Sequence, residues 1–371
     1  MSKKIIISVT NDLSFDQRVA KMCNTLYDLG FDITLVGRLL PESAPIERKY
    51  KTKRLKLHFT KGALFYAFFN IRLFFVLLFA KVDIYHSNDL DTLLANYLAS
   101  KIRRKPLIYD SHEYFLGVPE IQDRKLVKKA WTTIERFIFP KLKTIVTVNQ
   151  SIADLYKKDY RKELIIIRNL PTRQIVTQTK SKEDLGMPSN KKIVILQGAG
   201  INVDRGSEEL LEAIALSNQF VLYIIGTGGV IEELKKRALK NDLKNKIVFI
   251  GRIPYVEMMQ YTLNADVGVT LDKDTNINYR FSLPNKIFDY MKAGIPVLAS
   301  NLKEVANVVN HHKVGIVIPN HAPQTILEGL ENLTQNKEQQ ATFGKNGKQA
   351  IETLNWETEV TPIKKIYKKL L

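Results

Sequence analysis

Hydrophobic and polar residues along the chain fall into short β-rich runs that alternate with longer segments of helical period, the pattern of βαβ units built on parallel sheets. In the first half the predicted strands are residues 4–9, 32–37, 83–87, 106–111, 144–148 and 164–168. Between the first two, Val19, Met22, Leu26 and Leu29 recur at helical spacing and Gly30 closes the helix. Residues 169–189, polar and interrupted by Pro and Gly, read as a linker. A second series follows at 192–198, 219–226, 246–251, 266–271, 296–300 and 314–318, and the closing WETEVTPIKKIYKKLL has the pattern of an amphipathic helix. Two doubly wound α/β domains are expected, and such sheets bind ligands outside the carboxyl ends of their strands.

The 371 residues exceed one ordinary core and suit two domains of roughly 150 residues or more, with room for a cleft. Residues 62–80 are the most apolar stretch. A bilayer-spanning helix needs about 20 mostly apolar residues, but Asn70 and Arg72 interrupt this run and Lys61 and Lys81 bound it, so no span is expected. It is either a buried helix packed on a sheet or a helix whose aromatic face touches a bilayer interface. A composition of 45% hydrophobic and 25% charged residues is that of a soluble globular protein. The lone Cys23 forms neither an internal disulfide nor a sulfur-based zinc site, and the charged start MSKK carries no leader, so a reducing cytoplasm is expected.

The net charge of +18 is uneven, +13 in residues 1–170 and +5 in residues 171–371. Basic runs at 48–56, 101–105 and 125–129 are solvated faces individually. Together they direct the first domain toward negative charge, whether nucleic acid, anionic lipid or a phosphorylated acceptor. They lack the interleaved aromatics of a recognisable nucleic-acid module, so no nucleic-acid partner is expected.

Residues with chemical potential gather at strand ends. Gly198, Gly200 and Arg205 follow the strand VILQG and precede a helix, which suits either phosphate on backbone amides and a guanidinium or a plain tight turn. GTGG, beginning at Gly226, ends the next strand in the same way. In SLPNKIFDYMKAGIPVLAS, residues 282–300, Pro284 suits the first turn of a helix, with Lys286 and Asp289 at i and i+3 near its positive end. An anion there meets amides and an ammonium, and the carboxylate suits a vicinal diol such as a ribose. The alternative is an exposed Lys–Asp pair on an ordinary crossover helix.

The pieces LYIIGTGGVIEELKK, IVFIGRIPYVEMMQYTLNADVGV and LPNKIFDYMKAGIPVLAS resemble the donor-binding domain of the retaining glycosyltransferase family 4, the glycosyl transferases group 1. IYHSNDLDTLLANYLASKIRRKPLIYDSHEYF is similar to that family's N-terminal elements. The resemblance implies a GT-B fold of two Rossmann-like domains facing a cleft. They would be an acceptor domain over 1–170, joined by a crossing helix at 355–371, and a donor domain over 171–354. Asp289 matches the second glutamate of the family's acidic pair, which holds the nucleotide ribose, whereas the first glutamate falls at Phe281. Leu283, Pro284 and Asn285 match the segment approaching diphosphate and sugar, and Arg205 the basic residue of the phosphate loop, whose earlier Arg is replaced by Ala199. Lys286 is positioned to restore that charge, and Gly226 and Arg252 lie in the matching donor-side pieces. On the acceptor side TNDLSFDQR stands where the family has a glycine-rich loop, so Thr10, Asn11 and Asp12 offer side chains there. His112 matches the His that contacts the transferred sugar, with Asp89 and then His86 as the next candidates.

The implied activity is transfer of a hexose-type sugar from a UDP- or GDP-linked donor to an acceptor hydroxyl, with retention. Arg205, Lys286 and helix-end amides would take up the leaving charge, with neither cofactor nor metal. The two Asp-x-Asp spellings are discounted as metal sites, 89–91 because it opens a helix beside the acceptor and 272–274 as a polar loop. A dehydrogenase is disfavoured because neither half combines G-x-G-x-x-G with an acid about 20 residues on. A catalytically silent GT-B scaffold is the alternative that Phe281 and Ala199 leave open. A lipid-linked or polysaccharide acceptor, met by a cytoplasmic protein resting on the anionic inner face of a membrane, is the expectation for its place of action.

Overall fold

Ile5, Ile6, Ile7 and Val9 are all buried, which successive residues of one strand achieve only when helices cover both faces of its sheet. The computed structural model describes residues 2–370 except 15, 42, 175, 241 and 242. The chain divides into two units, residues 1–169 with 359–371 and residues 170–358.

The first unit runs β1 (Lys4–Asp12), α1 (Gln17–Asp28), β2 (Asp32–Leu39), β3 (Lys51–Lys56), α2 (Gly62–Phe79), β4 (Ile84–Asn88), α3 (Leu90–Arg103), β5 (Leu107–Ser111), α4 (Pro119–Gln122), α5 (Lys125–Ile138), β6 (Thr144–Thr147), α6 (Gln150–Tyr160) and β7 (Ile165–Ile166). Its sheet has the order β3-β2-β1-β4-β5-β6-β7, all parallel. The order reverses direction between β1 and β4, opening a crevice at their carboxyl ends. Asp16 caps α1 by accepting from the Val19 amide at 3.0 Å, and Val19, Met22 and Leu26 turn inward as their spacing predicts.

Three elements depart from the sequence reading. The basic run 48–56 contains the edge strand β3, whose lysines stay exposed while Leu55 is buried. Lysine on an unpaired edge discourages pairing with another chain, and it masked the alternation. The predicted terminal helix is split into α15 (Trp356–Glu359) and α16 (Thr361–Lys368), because Pro362 has no amide proton to continue the first. Residues 62–80 are only half packed on the sheet: Phe65, Phe69, Leu73 and Leu77 of α2 are buried, while Phe68, Phe75 and Phe79 are exposed.

The second unit runs β8 (Lys192–Gly198), α7 (Ser207–Ala215), β9 (Phe220–Gly226), α8 (Ile231–Lys240), β10 (Ile247–Ile250), α9 (Tyr255–Leu263), β11 (Val267–Thr270), α10 (Ile277–Arg280), α11 (Lys286–Ala293), β12 (Val297–Ser300), α12 (Lys303–His312), β13 (Gly315–Ile318), α13 (Pro323–Gln335), α14 (Lys337–Ile351) and α15. The sheet order β10-β9-β8-β11-β12-β13 places a second crevice between β8 and β11. Tyr290 fixes α11 to this sheet: its ring covers Gly268 of β11, and its hydroxyl donates to the Ile195 and Val269 carbonyls at 3.3 and 3.1 Å.

A methyl group on Gly268 would stand 2.3 Å from the Tyr290 ring. Gly268→Ala should therefore cost about 1–3 kcal/mol by overpacking, read as a lower thermal midpoint. Gly251→Ala, with nothing within 4 Å, should leave the midpoint unchanged, and equal midpoints for the two variants would contradict this packing.

Candidate functional site

At the β1/β4 crevice Asp89 leaves the end of β4 at φ 57° and ψ 166°, a conformation costing a non-glycine residue about 1–3 kcal/mol. It directs the carboxylate onto the loop after β5. One oxygen accepts from the His112 backbone amide at 2.7 Å and the other lies 3.1 Å from His112 Nδ1. The other ring nitrogen, Nε2, is 3.6 Å from the buried Asp110 carboxylate. Asp110 is in turn held by Arg18, with Nη2 at 2.8 Å and Nε at 3.3 Å, and Arg18 also donates to the Ile167 carbonyl at 2.6 Å. Burial alone would lower the His112 pKa, but Asp89 and Asp110 outweigh it and hold the imidazole well above its ordinary value. Burial would raise Asp110, and Arg18 and His112 reverse that to hold it far below the carboxylate range.

Asp91, in the first turn of α3, accepts from the Thr10 hydroxyl at 2.5 Å while its other oxygen is buried without a partner. Burial and the neighbouring Asp89 push its pKa up to about 7, and the same two causes lead in pushing Glu113 up to about 8. Asn11 donates to Asp16 at 2.9 Å. The Asp12 carboxylate accepts from the Ser14 and Ser43 hydroxyls at 2.7 and 2.6 Å, so it braces the loops after β1 and β2. His86 is a core residue: fully buried, it is hydrogen-bonded through Nδ1 to the Tyr367 hydroxyl of α16 at 2.5 Å, and burial lowers its pKa to about 4.

At the β8/β11 crevice Arg205 forms an ion pair of 2.7 Å with Asp272 and lies over the Tyr279 ring at 4.4 Å. Asp272, at the end of β11, is 1% exposed and its second oxygen has no partner. Lys286 opens α11. Burial pushes its ammonium pKa down, Asp272 opposes the fall and Arg205 adds to it, so the three charges form one cluster. Pro284 and Asn285 precede the helix instead of forming its first turn, with Asn285 at the N-cap and Leu283 half-buried before them. A Cβ added at Gly198 would stand 4.0 Å from the Lys286 Cε, and one at Gly200 would meet open space. Gly226 is a packing requirement: at φ 132° its Cβ would fall 1.8 Å from the Gly198 carbonyl. Arg252 is exposed on the loop after the edge strand β10. Asp289 is buried and accepts from Gln197 Nε2 at 3.1 Å and the Tyr255 hydroxyl at 2.8 Å, while the Thr262 hydroxyl donates to the Gln197 side-chain oxygen Oε1 at 2.6 Å. In the 272–274 spelling Asp274 pairs with Arg280 at 2.8 Å. Among the described residues no three His, Cys, Asp or Glu side chains are grouped to hold a metal ion.

Two family descriptions match the two units: Glycosyltransferase Family 4 over residues 17–169 and Glycosyl transferases group 1 over residues 177–350. The chain is a group 1 glycosyltransferase. A glycosyltransferase of Methanocaldococcus jannaschii is 25% identical over 291 residues, 75% of this chain and 72% of the relative. The sucrose-phosphate synthase of Thermosynechococcus elongatus superposes with a TM-score of 0.79 over 99% of both chains at 16% identity. Anabaena HepE, solved with UDP and glucose, superposes with a TM-score of 0.73 at 14% identity, covering 99% of this chain and 100% of that one. The fold of this glycosyltransferase is accordingly GT-B, and membership favours transfer over a silent scaffold.

Sequence reasoning missed Arg18, Asp110, Gln197 and Tyr255, and it discounted Asp272 as part of a polar loop, whereas that carboxylate is buried against Arg205. Asp272 was legible as an acid at the end of a switch-point strand. The partner of Asp110 lies 92 residues away and left no local signal.

The raised His112 pKa fixes the sign of a pH effect. The stabilisation from its ion pairs is complete below the ordinary imidazole value of 6.5, persists at neutral pH, and is lost as pH rises through the higher folded-state value. By NMR the His112 ring should remain protonated at neutral pH, and Asp89→Asn should bring its titration down toward 6.5. A parent ring titrating at or below that value would contradict the arrangement.

Proposed function

We propose that the protein transfers a hexose-type sugar from a UDP- or GDP-linked donor to an acceptor hydroxyl, with retention at the anomeric carbon and without a metal. The observation that carries the reading is the Arg205–Asp272–Lys286 cluster beside Gly198 at a switch-point crevice. A nucleotide diphosphate brings to such a cluster the anion that its two cations match. As the sugar–phosphate bond breaks, charge builds on the leaving oxygen, and fixed cations gain more in the transition state than in the ground state. Asp289, oriented by Gln197 and Tyr255, presents a carboxylate to accept from a ribose diol. In the N-terminal unit an imidazolium held by Asp89 would donate to the transferred sugar. Retention is what the family resemblance implies. The acceptor class we favour is a lipid-linked or polysaccharide hydroxyl at the cytoplasmic side of a membrane.

A screen of UDP- and GDP-hexoses with the purified protein, with anomeric configuration read by NMR and repeated in EDTA, tests the reading. Turnover of one donor, unaffected by EDTA and with α product from an α-linked donor, is expected. Nucleotide binding with no turnover of any donor would favour the silent scaffold. Asp289→Asn should weaken nucleoside diphosphate binding by about 1–3 kcal/mol, the worth of a charged acceptor on a hydroxyl pair. Arg205→Ala and Lys286→Ala should lower kcat more than they raise KM. His112→Ala should keep nucleotide affinity and lose transfer, and full transfer would remove His112 from the reaction.

A further inference from the structure

The outward stripe of α2 consists of Leu64, Phe68, Ile71, Phe75 and Phe79, each between 42% and 77% exposed. At about 100° per residue they occupy roughly 80° of the helix circumference, where a helix on a soluble domain normally presents polar groups. Arg72 is the only charged residue of α2, and its guanidinium turns back to the Lys56 carbonyl. The exposed rings associate in pairs: Phe59 lies 5.0 Å from Phe68, and Phe75 stacks on Phe79 at 6.4 Å between ring centroids. By length and hydropathy α2 could cross a bilayer. Its other stripe is committed to the sheet, however, and Asn70 donates to the Asp91 carbonyl at 2.8 Å, so this helix lies along a surface.

Beside the carboxyl end of α2 is a depression of about 540 Å³. Phe75 and Phe79 form one side of it, and Lys4, Lys51, Lys53 and Lys81 surround it. Asp32 is the one carboxylate in its lining and is paired with Lys51 at 3.3 Å, which leaves a net charge of +3. These residues mark the amino ends of β1, β2 and β3, the opposite end of the sheet from Asp89 and His112. An apolar wall joined to a lysine rim complements a phospholipid, with phosphate on the ammonium groups and glycerol and first methylenes against the rings. A second copy of the chain would set one lysine rim against another.

We propose that α2 and the β3 edge form a docking surface for an anionic phospholipid bilayer, with a lipid phosphate seated among Lys51, Lys53 and Lys81. The stripe lies flat in the interface, and Asn70, midway along α2, donates to the Asp91 carbonyl in the first turn of α3. Docking concerns binding and stands whether or not the transfer reading holds.

The test is flotation of the intact protein with vesicles of phosphatidylcholine alone and with phosphatidylglycerol added, at low and high salt. Binding should require phosphatidylglycerol and weaken with salt. Since each basic residue near an anionic surface changes partitioning about fivefold, Lys53→Glu with Lys81→Glu should reduce it at least tenfold. Phe75→Ser with Phe79→Ser should do the same, and unchanged thermal midpoints would show that both pairs fold. Binding that is absent, indifferent to lipid charge or untouched by the lysine pair would overturn the proposal. So would thermal protection by inorganic phosphate without vesicle binding, which marks a free-phosphate site, or self-association abolished by the same variants, which marks an interface between copies.

Discussion

A parallel sheet covered by helices on both faces can admit a ligand to its central strands only at the ends of those strands, and the chemistry of this protein is arranged around that constraint. The apolar runs of β1 and β8 are dictated by burial on both sides. Polar side chains are displaced to the places where crossovers diverge, between β1 and β4 and between β8 and β11. Asp89 and Asp272 occupy corresponding positions in the two units, each just beyond the switch-point strand that pairs with the first strand of its sheet.

The two crevices are electrostatic opposites. In the first, a cationic ring is held among carboxylates, His112 between Asp89 and Asp110, with Arg18 behind. In the second, one carboxylate, Asp272, sits with two cations, Arg205 and Lys286. Buried charge is costly unless it is paired, so each cluster is organised before any ligand arrives. Asp91 and Glu113 are the exceptions, and their raised pKa values express that cost.

Much of the fold was legible because doubly buried strands are apolar runs, and every strand predicted in residues 192–318 is present. What escaped was set by partners distant in sequence or by edge position. β3 is hidden in lysines because an edge strand needs few apolar residues. His86 was a reasonable site candidate from its place at a strand end, and only Tyr367, 281 residues away, shows it to be core. The glycines after β9 read as a phosphate loop, yet Gly226 is required by the neighbouring backbone of Gly198. His112 and Asp89 were readable only as separate candidates through the resemblance, since the strained backbone that pairs them has no sequence signature.

The position of α16 has a consequence for biosynthesis. Tyr367 and Ile363 fill the first unit's interior, with Tyr367 edge-on to Phe31 at 5.7 Å and bonded to His86. That half of the chain is synthesised before the second unit but lacks part of its core until α16 has been translated. Of the two units the one begun first is therefore completed second, and a nascent chain lacks the Tyr367 contacts to His86 and Phe31 for as long as the whole second unit takes to synthesise.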